Sequence, residues 1–69
     1  MNAEKFLEQV WREFIRRLEA LRNQKPKMTY EQLGEMCGVS KVTTKRWLEG
    51  AGGEKTSFPD MLRYMQAVG

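Results

Sequence analysis

Residues 40–46 read Ser-Lys-Val-Thr-Thr-Lys-Arg, with three cations and no acid in the run from Lys41 to Arg46. Lysine and arginine can donate to the O6 and N7 acceptors of guanine, and a valine can pack on the methyl of thymine. A threonine hydroxyl at the margin of such a surface, here Thr43, can reach a backbone phosphate. Wound as a helix at about 100° per residue, Ser40, Thr44, Trp47 and Leu48 share one arc. Lys41, Val42, Lys45, Arg46 and Glu49 share the opposite one. If Trp47 faces a core, the cations face out together and offer a reading edge for a nucleic acid.

The rest of the chain bounds that chemistry. With 69 residues, 41% of them hydrophobic and 30% charged, it is sized for a single domain. Twelve Lys and Arg against nine Asp and Glu leave a formal charge of +3, a mild excess that permits an anionic partner. A second basic cluster, Arg16, Arg17, Arg22, Lys25 and Lys27, faces only Glu19 within residues 16–27. Catalysis lacks parts: there is no histidine, no glycine-rich phosphate loop after a strand and no metal-ligand set. No cofactor and no small-molecule substrate are expected. Glu31 and Glu35, an i,i+4 pair, suit a solvated face better than acid–base work. The single Cys37 cannot form an internal disulfide and fits a reducing, cytoplasmic setting. No apolar run is long enough for a membrane span, and charges among residues 4–8 argue against a secretory signal.

The elements that must position residues 40–46 are all helical. Apolar residues from Phe6 to Leu21 recur at three- and four-residue spacing, predicting an amphipathic helix over residues 3–23 that ends before Pro26. Thr29 and Gln32 form a capping box for a helix from Tyr30 to about Met36, burying Leu33 and either Met36 or Cys37. Gly38 stops it. Ser40 caps a third helix to about Glu49, Gly50, Gly52 and Gly53 read as a pliable loop, and Ser57 opens a fourth helix with Pro59 in its first turn. The expected fold class is all-α, with no strand signal. Trp11 and Trp47 read as core, and the five methionines as gap-fillers.

Two short helices joined by a three-residue turn containing glycine match a helix-turn-helix. Residues 29–50 resemble the phage-repressor (lambda-repressor-like, Cro-type) helix-turn-helix, with Thr29, Leu33, Gly38, Val39, Ser40, Trp47 and Gly50 at that family's spacings. The motif covers about a third of the chain; a looser resemblance, through Met28, the Arg22 region and the segment from Ser57 to Gly69, extends over nearly all of it. The resemblance implies a four- to five-helix bundle whose third helix enters the major groove of double-stranded DNA. It assigns Ser40, Lys41, Val42 and Arg46 to base edges, with Lys45 beside them able to reach bases or phosphate, and Arg22, Thr29, Tyr30 and Lys55 to phosphates, which Thr43 joins from the margin of the surface. Tyr30 stands where the family usually has glutamine, Gly34 where it has alanine and Thr44 where it has isoleucine or valine. A hydroxyl at position 44 then needs a buried partner, such as a carbonyl one turn back.

The same resemblance implies a transcriptional repressor that binds a two-fold operator as a homodimer, with half-sites about 34 Å apart. The 69 residues then read as the N-terminal domain of a longer protein. A C-terminal part would dimerise or form a self-cleaving Ser/Lys peptidase-like domain. A second class of function also fits the residues. The wide apolar face of the first helix, with Phe6, Leu7, Val10, Trp11, Phe14 and Ile15, would serve a helical protein-interaction or dimerisation module.

Overall fold

The structure is a computed structural model that describes residues 2–69. It is all-α: α1 spans Ala3–Asn23, α2 Tyr30–Cys37, α3 Lys41–Leu48 and α4 Phe58–Val68, with one 3-10 turn at Gly53–Lys55 before α4. No strand occurs among the described residues. The α1 range is the one its periodicity predicts. The α2 helix runs on to Cys37, and α3 stops at Leu48, with Glu49 as its C-cap.

Each start is fixed by a side chain that takes an otherwise unpaired N–H. Asn2 Oδ1 accepts from the Glu4 N–H at 2.9 Å. At α2 the Thr29 hydroxyl accepts from Gln32 N–H while the Gln32 carboxamide accepts from Thr29 N–H, so the capping box is complete. Ser40 and Ser57 cap α3 and α4 in the same way. Gly38 closes α2 at φ +74°, a left-handed conformation that glycine reaches without steric cost.

The core draws on all four helices: Phe14 and Leu18 of α1, Leu33 and Cys37 of α2, Trp47 of α3, Met61 and Tyr64 of α4. Phe14 lies at its centre, with ring centroids 5.3 Å from both Trp11 and Trp47 and 5.8 Å from Tyr64. Trp47 and Tyr64 approach to 5.0 Å. Aromatic pairs of this kind add roughly 0.5–1.5 kcal/mol each beyond the area they bury, a large share for so small a core. Of the two alternatives in α2, Cys37 is buried and Met36 is exposed. Burial raises the Cys37 thiol above its ordinary range, which makes it a poor nucleophile.

The α1 and α4 helices run alongside in the same sense. Phe6 meets Phe58 at 5.7 Å at one end, and Gly69 comes up to Arg17 at the other. The α2 and α3 helices pack on each other through Gly34. A Cβ there would stand 2.6 Å from the Val39 carbonyl oxygen and 3.1 Å from Thr44 Oγ1. The site therefore has no room even for the alanine of the resembled family unless the turn moves. Gly34→Ala gains about 1 kcal/mol of helix propensity but costs about 1–3 kcal/mol in overpacking. We expect a net loss of about 1 kcal/mol, read as a melting temperature lower by roughly 4–8 °C.

Candidate nucleic-acid interface

The short turn Gly38–Val39–Ser40 sets α3 against α2, and two buried side chains set its rotation. Thr44 is fully buried and Trp47 nearly so. The Thr44 hydroxyl donates to the Ser40 carbonyl at 3.2 Å, so the polar group in the core has the one-turn-back partner it needs. With that arc turned in, Lys41, Val42, Lys45 and Arg46 are all exposed, Val42 to 52%. Among the described residues none of these three cations is in an ion pair. Arg16 and Arg17 instead share Glu13, at 2.6 and 3.1 Å, and Arg63 holds Asp60 at 3.0 Å. Leu48 is half-buried beside Trp47 on the inner arc.

Ser40 caps α3 as expected but leaves the inner arc on which the helical wheel puts it. Its side chain is exposed rather than packed in the core, because the N-cap position points it along the helix end. Its oxygen accepts from Thr43 N–H at 3.2 Å and lies 3.1 Å from Thr43 Oγ1. Both hydroxyls assigned to DNA, one to a base and one to a phosphate, are thus bonded to each other at the helix end, with one O–H and two lone pairs left between them.

The loop after α3 packs closely on the core. Gly52 takes φ +98°, and a Cβ on it would meet Trp47 Cδ1 at 2.8 Å. On Gly53 a Cβ would meet Trp11 Cδ1 and Nε1 at 2.7 Å. Backbone therefore lies directly on both indoles, and the 3-10 turn beyond carries Lys55 exposed. No periodicity signals such packing; only the paired glycines one turn beyond a core tryptophan hint at it.

The remaining phosphate candidates gather where α1 hands over to α2. Arg22 is half-buried: its Cζ lies 4.7 Å over the Tyr30 ring and Nη1 donates to the Met28 carbonyl at 3.3 Å. Its Nε is buried without a hydrogen-bond partner. The structure therefore uses Arg22 to strap the end of α1 to the start of α2, and its guanidinium is not presented freely to solvent. Tyr30 is half-buried under it, and Thr29 is exposed with its hydroxyl engaged in the capping box. The second basic cluster is also partly neutralised. Glu13, hydrogen-bonded by Arg16 and Arg17, has its pKa lowered from 4.5 to about 2.

That shift fixes a pH dependence. A carboxylate depressed in the folded state stabilises the fold above its unfolded pKa, and the contribution is lost as pH falls through the folded one. Stability is therefore expected to decline between about pH 4.5 and about pH 2. Glu13→Gln should be less stable at neutral pH and flatter across that window, read by urea denaturation at several pH values. An equal slope in both proteins would contradict it.

Among the described residues no group of three His, Cys, Asp or Glu side chains could hold a metal ion, and no helix is long and apolar enough to cross a membrane. Comparisons of the chain with protein-family models, curated proteins and solved structures gave no match.

Proposed function

We propose that this domain binds double-stranded DNA sequence-specifically, laying the outward arc of α3 in the major groove as the helix-turn-helix of a phage-repressor-like regulator does. The observation that carries the reading is the split of α3 into a buried Thr44–Trp47 arc and an opposite arc of Lys41, Val42, Lys45 and Arg46, exposed and free of ion pairs. Cations left unpaired on a helix beside a short turn suit a polyanion whose neutralisation releases counterions. Lys55, on the loop after α3, tracks the DNA backbone. The domain acts as a binding module rather than an enzyme, in the cytoplasm, and occludes a promoter as a repressor. One short helix covers only a few base pairs, so a homodimer on a two-fold operator supplies the affinity.

Titrating duplexes at several salt concentrations tests this. Binding should weaken steeply with salt, with a slope set by the phosphates neutralised. Lys55→Ala should weaken all duplexes alike and reduce that slope by about 0.9. No binding to any duplex at low salt would refute the reading.

A second reading has its own observation. Phe6, Phe58 and Leu62 are exposed at 41%, 37% and 45% on α1 and α4, and the two rings touch. Tight self-association without DNA affinity would favour a protein-interaction module.

A further inference from the structure

The side chains free on the outward arc differ from those of a general DNA-reading helix in one respect: among its exposed members only Glu49 can accept a hydrogen bond. Lys41, Lys45 and Arg46 only donate, and Val42 offers only methyls. Neither asparagine nor glutamine, the side chains that pair with adenine, lies between Lys41 and Leu48. The hydroxyls of Ser40 and Thr43, which could have served either kind of base, are held together at 3.1 Å at the N-cap, off the outward arc. Glu49, an acceptor that would suit cytosine, is the C-cap residue, about 10 Å along the axis from Val42. Its charge is repelled by phosphates, which favours docking through the residues before it, from Lys41 to Arg46, where there is no acid.

At 100° per residue Val42 falls near the middle of the outward arc, with Arg46 on one flank and Lys45 and Lys41 on the other. Val42 and Arg46 are four residues apart, about 6 Å along the axis, close to two base-pair steps of about 3.4 Å.

Resting on the DNA-binding reading above, we propose that α3 selects a major-groove segment built from guanine and thymine: a thymine methyl against Val42, and guanine O6 and N7 within about two base pairs on either side, held by Arg46 and by Lys45 or Lys41. Adenine and cytosine amino groups, which need acceptors, are disfavoured at those positions.

Selection from a randomised duplex pool with the full chain, and then single-atom changes in the selected site, test this. The selected half-site should contain a thymine with guanine one or two base pairs away. Replacing that thymine by uracil removes only the methyl and should weaken binding about four-fold, the worth of one buried methyl group. Replacing the guanine by 7-deazaguanine removes N7 and should weaken it about ten-fold. Val42→Ala, at an exposed position that leaves the core untouched, should show a smaller uracil penalty than the parent, because the alanine methyl keeps only part of the contact. A selected site without guanine, or a uracil penalty undiminished in Val42→Ala, overturns the assignment while DNA binding stands. A pool from which nothing is retained at any salt overturns DNA binding and the assignment with it.

Discussion

Trp47→Ala is expected to leave the chain unfolded at 25 °C. The indole is 5% exposed and contacts the rings of Trp11, Phe14 and Tyr64 at centroid distances of 5.5, 5.3 and 5.0 Å. It is also the side chain on which the Gly52 backbone rests. Truncating a buried tryptophan costs about 3–5 kcal/mol, and a core of this size supplies roughly 3–5 kcal/mol in all. The loss therefore equals the whole margin. Far-UV circular dichroism should show helix content collapsing, and urea should give no cooperative transition. Trp47→Phe keeps a ring in place and should fold with a lowered midpoint. A folded Trp47→Ala protein would mean that α3 is held by the turn and Gly34 alone.

Arg46→Ala should have the opposite profile, with unchanged stability and a relaxed choice of sequence. Its side chain is exposed and makes no ion pair among the described residues, so truncation stays within about 0.5 kcal/mol of the parent. A bidentate contact to guanine is worth about 1–3 kcal/mol of discrimination, roughly 5- to 150-fold. The ratio of affinities for selected and random duplexes should fall by that factor, whereas Lys55→Ala should leave it unchanged. If the ratio is unaltered in Arg46→Ala, that side chain reads no base.

The helices were legible because local rules set them. The three-and-four spacing of α1, the Thr29–Gln32 box, the Ser40 and Ser57 caps and the Gly38 stop depend on neighbours within a turn, and the structure realises each. The inward rotation of Trp47 came from the same periodicity, and the carbonyl partner of Thr44 from the resemblance together with the need of a buried hydroxyl for an acceptor. Contacts that join separate elements were not legible. Arg22 reaches Tyr30 and Met28 across a turn, and the stretch of backbone at Gly52 and Gly53 settles on indoles from α3 and α1. Both depend on how the helices are placed in space, which spacing along a chain does not encode. Ser40 misled because an angle on a helical wheel ignores that an N-cap lies outside the helix, where its side chain turns back to the first amides.

The two arcs of α3 have a consequence for how this domain can change over generations. The residues that hold the helix down, Thr44 and Trp47, are different from those that look outward, and Lys41, Val42, Lys45 and Arg46 are all solvent-exposed. Substitution among those four positions is therefore nearly free of folding cost, while substitution at Gly34, Thr44 or Trp47 disturbs the packing. A lineage built on this scaffold can vary that outward surface and keep one architecture throughout.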